Sequence, residues 1–259
     1  MYKLQVNNGG KVFKKDGKEI VALEEMSIQI ETGKFVSIIG PSGCGKSTLF
    51  NMIAGLLLPT SGEILLDGQN IVGKSGRVGY MLQKDLLLPW RTILANIILG
   101  LELKGVPKKE AEKRALPLIN KYGLGGFEYH YPSELSGGMR QRAALLRTLL
   151  YDQDVILLDE PFGALDAQTR LLMQTWLMQI WQDFKKTVLF ITHDIDEAIY
   201  LSDEIYVLSP RPGRLKEIVS IDLPRPRTQA SLSTVEFVQL KQQLLSMLEE
   251  DRIKVDSVK

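Results

Sequence analysis

A glycine-rich segment in the first quarter of the chain constrains its fold and chemistry more than any other feature. It follows an apolar run, Phe35–Ile39, that predicts a buried strand, and it leads into residues 47–54, which predict a helix. Glycines let backbone amides turn toward a phosphate without a Cβ in the way, and the helix directs its N-terminal dipole at the same anion. A strand, this loop and a helix in that order predict a phosphate-binding loop. The loop residues are Gly40, Pro41, Ser42, Gly43, Cys44, Gly45, Lys46, Ser47 and Thr48.

Three side chains of this loop are expected to have different chemical roles. Lys46 supplies a point charge for the β- and γ-phosphates, and the hydroxyl of Ser47 is a ligand for Mg²⁺. Cys44 could be a catalytic thiol or a small residue that fills a tight turn. The second interpretation is favoured, because no nearby residue in the sequence forms a Cys–His pair with it.

Two adjacent carboxylates end a second apolar run. Residues 155–158 predict a buried strand, and Asp159 and Glu160 follow it directly. Asp159 lies where parallel α/β sheets bind ligands and is expected to hold Mg²⁺ through water together with Ser47. Glu160 is expected to polarise an attacking water as general base. Carboxylates that follow a strand often only cap the next helix. Their presence in the same chain as Lys46 and Ser47 favours a nucleotide hydrolase.

Composition and charge narrow the class of protein further. The chain has 32 Lys and Arg against 31 Asp and Glu. Because the chain has no surplus of basic residues, its overall charge does not indicate nucleic-acid binding. One cysteine excludes an internal disulfide framework and fits a reducing compartment. No apolar stretch approaches the roughly 18–20 residues of a membrane span, and the N-terminus lacks the apolar run of a signal peptide. We therefore expect a cytoplasmic protein whose contact with a membrane is made through a partner or through a surface element.

The order of predicted elements indicates an α/β fold. Residues 11–13 and 21–30 predict N-terminal antiparallel strands joined by a turn at Asp16 and Gly17, and later strands alternate with helices, which favours a mainly parallel sheet. The later predicted strands are residues 35–39, 63–66, 78–82, 155–158, 187–191 and 205–208. Residues 84–150 predict a helical subdomain inserted into a domain spanning residues 1–222. Residues 223–259 predict a proline-rich linker and an amphipathic helix with an apolar face at Val235, Val238, Leu244, Leu245 and Leu248.

A further glycine motif identifies a family. Leu135, Ser136, Gly137 and Gly138 resemble the LSGGQ signature of ABC (ATP-binding cassette) transporter ATPases, with Met139 where glutamine is usual. The resemblance implies a P-loop fold with an inserted helical subdomain, ATP in the loop 40–48, and a second anion site at Ser136 and Gly138. In the family this second site serves the ATP of a partner copy, so a homodimer is expected in the ATP-bound state.

Other residues match the family in the same chain order. Gln83 is similar to the glutamine that touches Mg²⁺ or water, and Asp166 lies in a segment, residues 163–166, similar to the loop that crosses the dimer interface. His193 is similar to the switch histidine that senses the γ-phosphate, and Phe13 to the aromatic residue that stacks on adenine. Taken alone, His193 would be a capping or core residue and Phe13 a core residue, and His130 keeps that ordinary interpretation.

The resemblance also implies partners. It predicts the ATP-hydrolysing subunit of an importer, on the cytoplasmic face of the membrane, with a separate permease and, indirectly, an extracytoplasmic solute-binding protein. Residues 86–92, 160–166 and 209–213 resemble importers of nitrate, sulfonates, taurine and bicarbonate. Trp90 is either part of a surface that docks on the permease or core of the helical subdomain.

Three alternatives share the phosphate loop. A mechanoenzyme of DNA repair or translation uses the same cassette, but with a long coiled-coil insertion or two cassettes in one chain. A non-catalytic regulator is opposed by Glu160 and His193. A switch GTPase is opposed by the lack of an N-K-x-D guanine motif.

Overall fold

The computed structural model describes residues 1–15, 17–163 and 165–256. The chain divides into two compact units, the first made of residues 1–78 and 185–259 and the second of residues 79–184. No helix in the described ranges is both long and apolar enough to span a membrane. The predicted turn at Asp16 falls outside the described residues, as does Ala164.

The first unit contains two sheets. Its elements are β1 (Tyr2–Lys15), β2 (Lys18–Glu31), β3 (Phe35–Ile39), α1 (Lys46–Ile53), β4 (Ser61–Leu66) and β5 (Gln69–Asn70). The second unit contributes β6 (Gly79–Met81), α2 (Ile93–Ile97), α3 (Leu99–Leu103), α4 (Lys108–Lys121), α5 (Gly137–Leu150), β7 (Val155–Asp159) and α6 (Ala167–Phe184). The chain then returns to the first unit with β8 (Thr187–Ile191), α7 (Ile195–Leu201), β9 (Glu204–Leu208), β10 (Leu215–Ser220) and α8 (Val235–Asp256).

The N-terminal sheet is antiparallel, in the order β2-β1-β4-β5. Val6 of β1 lies opposite Ile28 of β2 and Ile64 of β4. All three side chains are buried, which places one face of this sheet in the core. The α/β class with an N-terminal antiparallel sheet is therefore confirmed, and β5 and β10 are two strands that the sequence did not predict.

The parallel strands of the first unit set the position of the candidate site. β3 pairs in parallel with β8 on one side and β9 on the other. All residues of β3 and β8 are buried, as expected for strands covered on both faces. Because the carboxyl ends of parallel strands share one edge, the segments that follow β3, β8 and β9 all start at that edge.

The second unit joins two parallel strands to a group of helices. Tyr80 of β6 lies opposite Leu157 of β7, so these strands also end side by side. The helices α2, α3 and α4 pack against α5, whose buried face includes Ala143, Ala144 and Leu146. Small residues on that face allow close helix contacts.

The C-terminal segment is held firmly in the first unit. The stretch predicted as a linker, residues 223–227, contains Arg227, which is 7% exposed and hydrogen-bonds to backbone carbonyls around α7. Among the residues of α8 whose side chains are described, 235–249, Phe237 and Leu244 are buried, while Val235, Val238 and Leu245 are exposed. The predicted apolar face of this helix is therefore wrong in part, because the buried stripe follows the helical spacing from Phe237 to Leu244.

Candidate functional site

The phosphate loop lies between β3 and α1, and its glycines adopt backbone conformations that other residues rarely do. Gly43 has φ 75° and Gly45 has φ 107°. A Cβ at Gly45 would lie 2.6 Å from Leu23 Cδ2 and 2.9 Å from the carbonyl oxygen of Ala22. The loop can follow this path against β2 because Gly45 has no side chain.

The N-terminus of α1 is suited to an anion. Gly45 is its N-cap residue and offers no side chain to the free amides, and no acidic residue lies in the first turn. The Nζ atom of buried Lys46 donates to the carbonyl oxygens of Gly40 at 2.8 Å and Pro41 at 3.1 Å. The loop thus combines free amides, a helix dipole and an ammonium group, which is the chemistry of a phosphate site.

Cys44 lies inside the loop rather than on its surface. Its thiol is 1% exposed, and burial raises its pKa, although Lys46 acts in the opposite direction. A neutral, enclosed thiol is a poor nucleophile. The structure therefore favours the packing role over the catalytic one.

Two more predicted residues of the first unit have exposed side chains. Phe13 on β1 is 39% exposed, and Lys11 Nζ lies 5.3 Å from its ring centroid, so an aromatic face and a cation are presented together. His193 is exposed directly after β8, at the strand edge where the phosphate loop also begins.

Neighbouring residues fix the backbone around His193. Thr192 Oγ1 donates to buried Glu197 and accepts from the amide of Asp194 at 3.0 Å. The Asp194 carboxylate caps α7 by accepting from the amide of Glu197 at 3.2 Å. The imidazole therefore projects from a backbone that is anchored on both sides.

The second unit brings Gln83 and Glu160 together. Glu160 follows β7 with φ 45°, a left-handed conformation that is uncommon and strained for a residue other than glycine. Gln83 Nε2 donates to Glu160 Oε2 at 3.3 Å. The hydrogen bond orients a carboxylate that projects from the end of a buried strand, as a general base requires.

Asp159, the last residue of β7, has a hydrogen-bond partner that was not predicted from the sequence. Its Oδ2 atom lies 3.4 Å from the hydroxyl of Tyr80 on β6. Burial raises the pKa of Tyr80 and the Asp159 carboxylate raises it further, so the phenol remains a hydrogen-bond donor. An aromatic residue three positions before Gln83 was visible in the sequence, but the pairing of β6 with β7 was needed to place it here.

The signature residues form the start of α5. Ser136 is the N-cap, and its Oγ atom accepts from the amide of Met139 at 3.3 Å. Ser136 and Gly137 are exposed, Gly138 is half-buried, and Leu135 is buried beneath them. A serine hydroxyl and glycine amides at the N-terminus of a 14-residue helix provide a second place where an anion is favoured.

Asp166 is exposed at the start of α6. Its Oδ1 atom accepts from the amide of Thr169 at 3.0 Å, and hydrogen bonds from Thr169 lower the pKa of this carboxyl group. Asp166 thus orders the turn that leads into α6, and its place in a dimer interface stays a prediction.

The donors predicted for Mg²⁺ come from both units. Ser47 lies in the first unit, and Gln83 and Asp159 lie in the second. A hydroxyl, an amide oxygen and a carboxylate are hard oxygen ligands, and Mg²⁺ usually adds phosphate and water oxygens to a small set of this kind. The donor chemistry therefore fits Mg²⁺, while the joint site stays a prediction.

Comparisons with known proteins give the family. A family model described as ABC transporter matches residues 23–163. An uncharacterized ABC transporter ATP-binding protein of Methanocaldococcus jannaschii is 49% identical over 97% of this chain and 93% of its own length. The aliphatic sulfonates import ATP-binding protein SsuB of Bacillus cereus is 44% identical over 95% of this chain and 96% of that protein.

A solved structure that resembles this chain indicates the same family. The dimeric post-hydrolysis state of an ATP-binding cassette, bound to ADP and Pi, has a TM-score of 0.74 and 32% identity. The match covers 85% of this chain and 100% of that one. The family match includes the phosphate loop, the signature residues, and both Asp159 at the end of β7 and Glu160 after it. This chain therefore belongs to the ABC transporter family, as one of its ATP-binding and ATP-hydrolysing subunits.

Proposed function

We propose that this chain hydrolyses ATP as a homodimer and thereby powers import of a small anion of the sulfonate type through a separate integral membrane permease. The observation that carries the proposal is 44% identity to a sulfonate import ATP-binding protein across 95% of this chain. An extracytoplasmic solute-binding protein would deliver the solute to the permease. The subunit would then lie on the cytoplasmic face of the membrane, attached through that permease.

ATP binding is assigned to residues of the first unit. The phosphate loop amides and Lys46 hold the β- and γ-phosphates, and Phe13 stacks on the adenine ring. The free amides at the start of α1 and the exposed ring of Phe13 support these roles. Bound Mg²⁺, held by Ser47, Gln83 and Asp159, would neutralise charge on the phosphates.

Hydrolysis is assigned to Glu160, Gln83 and His193. Glu160 accepts the proton of the attacking water, and the amide of Gln83 holds the Glu160 carboxylate by the 3.3 Å hydrogen bond. His193 donates a hydrogen bond to the γ-phosphate. The reaction is then accelerated mainly by positioning and charge stabilisation, as in other phosphoryl transfers.

The second copy completes each site in this proposal. Its Ser136 and Gly138 contact the γ-phosphate across the dimer, so closure depends on ATP. Differential binding of ATP to the closed state shifts the open–closed equilibrium, and this shift is the step that drives the permease. The exposed serine N-cap at the start of α5 supports a site that faces outward from its own chain.

An exposed apolar surface in the second unit supports a docking role. Trp90 is 73% exposed and Leu86 is 51% exposed, which disfavours the core interpretation of Trp90. The segment that carries them is fixed, because Arg147 donates to the carbonyl of Leu86 and Asn96 donates to the carbonyls of Leu88 and Arg91. We assign this surface, Leu86 and Trp90, to contact with the permease.

Copurification and transport test the proposal. The tagged chain should carry an integral membrane protein from native membranes, and Trp90→Ser should lose it while keeping ATPase activity. Leu103→Ser is the matched control, since Leu103 is equally exposed on α3 of the same unit. Reconstituted with that permease and its solute-binding protein, the native chain should drive ATP-dependent uptake of a labelled aliphatic sulfonate. Copurification with DNA or ribosomes, or reconstitution without sulfonate uptake, would contradict the proposal.

A further inference from the structure

The proline-rich turn after β9 is a compact, internally bonded structure. Ser209 Oγ donates to the carbonyls of Pro210 at 3.0 Å and Pro212 at 3.1 Å, and the amide of Arg214 donates to Ser209 Oγ at 3.0 Å. The amide of Ser209 donates to the carbonyl of Arg214 at 3.0 Å and closes the turn. We name residues 209–214 the bracing turn.

The bracing turn is wedged between β2 and the phosphate loop. The amide of Gly213 donates to the carbonyl of Ala22 at 3.0 Å, and its carbonyl accepts from the amide of Glu24 at 3.1 Å. A Cβ at Gly213 would lie 2.0 Å from the carbonyl oxygen of Cys44. The turn therefore touches the back of the loop with almost no clearance.

Arg211 reaches from this turn to one peptide of the loop. Its Nη2 and Nε atoms donate to the carbonyl oxygen of Gly43 at 3.0 and 3.2 Å. The amide of the same peptide, that of Cys44, donates to the carbonyl of Pro41 at 3.3 Å. Both polar groups of the Gly43–Cys44 peptide are thus held, one by Arg211 and one by the loop itself.

The hydrogen bonds to this peptide matter because the backbone of Gly43 has little intrinsic resistance to rotation. It has φ 75°, and a glycine passes between left- and right-handed conformations at little cost. Without a partner for its carbonyl, the peptide could turn and direct an oxygen toward the space where an anion is expected. A carbonyl dipole in that position repels a phosphate, whereas amide groups attract it.

We infer that Arg211 is a positioning residue for nucleotide binding, which fixes the Gly43–Cys44 peptide in the orientation that accepts a phosphate. The inference rests on the proposed role of the loop in binding ATP. Arg211 does not need to touch the nucleotide, so it differs from Lys46, whose ammonium group lies within the loop. Its effect is expected on the binding of nucleotide and not on the hydrolytic step.

The test compares Arg211→Ala and Arg211→Lys with the control Arg214→Ala. Arg214 lies in the same turn but pairs with Glu24 at 2.7 Å instead of bonding to the loop. The KM for Mg-ATP and the dissociation constant of a fluorescent ATP analogue should rise roughly five- to tenfold in Arg211→Ala, the loss expected for the net contribution of about one ordinary hydrogen bond from an exposed side chain. The kcat at saturating ATP should stay within about twofold. Arg211→Lys should recover part of the affinity, because it keeps a cationic donor.

The outcomes separate this inference from the proposed function. Unchanged affinity in Arg211→Ala, or a lowered kcat with unchanged KM, would overturn the role of Arg211. An equal loss of affinity in Arg214→Ala would also overturn it, since the whole turn and not Arg211 would then be responsible. If Lys46→Ala binds the analogue as well as the native chain does, the assignment of the loop itself fails.

Discussion

Arg227→Met tests whether the C-terminal segment is part of the folded unit. The Arg227 guanidinium bonds to five backbone carbonyls and lies almost wholly inside the protein. Nη1 donates to Ile199 at 2.9 Å, Tyr200 at 3.2 Å and Ser202 at 2.6 Å, and Nη2 donates to Ile221 and Leu223 at 3.1 Å each. These acceptors come from the end of α7 and from the chain after β10, so one side chain joins two segments.

The expected loss of stability combines two opposing effects. Five carbonyls lose a donor at about 1 kcal/mol each, a net loss of about 5 kcal/mol. Methionine also removes a buried charge, and burial, with help from Arg225, lowers the pKa of Arg227 to about 10. Relief of this cost returns about 3 kcal/mol, at about 1.4 kcal/mol for each unit by which the pKa is lowered, so the free energy of unfolding should fall by about 2 kcal/mol.

Urea denaturation followed by circular dichroism measures this change from the transition midpoint at constant slope. Arg214→Met is the control, since Arg214 is exposed and its ion pair with Glu24 lies on the surface. The control should leave the midpoint unchanged. A midpoint in Arg227→Met equal to that of the control would mean that Arg227 does not stabilise the fold and that residues 223–227 act as a loose linker.

Other predictions concern packing, reactivity and the signature. Leu244→Ala should lower the free energy of unfolding by about 2–5 kcal/mol and the exposed neighbour Leu245→Ala by under about 1 kcal/mol, both measured in urea; equal losses would contradict the packing of α8. Cys44 should react with a maleimide far more slowly in the native chain than in urea at pH 8, because its pKa is raised and its thiol is buried; equal rates would contradict this. Ser136→Arg should reduce ATP hydrolysis roughly a hundredfold or more, the effect of losing one transition-state hydrogen bond, while monomers still bind the ATP analogue. Loss of binding by the Ser136→Arg monomer would argue against a site completed by a second copy.

The phosphate loop was predictable because its signals are local. Glycines, a lysine and a hydroxyl lie between a strand and a helix within residues 35–54, and β3 and α1 form there. The strand that carries Asp159 and leads to Glu160 was predictable for the same reason, since β7 is an apolar run that ends at Asp159. Both predictions rest on the spacing of residues close together in the sequence, so neither required a contact between distant parts of the chain.

Other features depend on contacts between distant parts of the chain. Arg211 lies 168 residues from Gly43, and no spacing in the sequence joins them. Arg227 was assigned to a linker because the neighbouring prolines, Pro224 and Pro226, indicate a turn. In the structure its side chain is buried and donates hydrogen bonds to five backbone carbonyls. The apolar face of α8 was assigned from hydrophobicity alone, and Val235 and Val238 face solvent because Phe237 and Leu244 fill the core.

Light scattering of Glu160→Gln, with and without Mg-ATP, tests whether two copies of the chain close on bound ATP. The variant should bind ATP without hydrolysing it, because glutamine cannot accept the proton of the attacking water. We expect a monomer without nucleotide, a dimer with Mg-ATP, and a monomer again when Lys46→Ala is added to the variant. A Glu160→Gln chain that binds ATP and stays monomeric would contradict the claim that a second copy completes each ATP site.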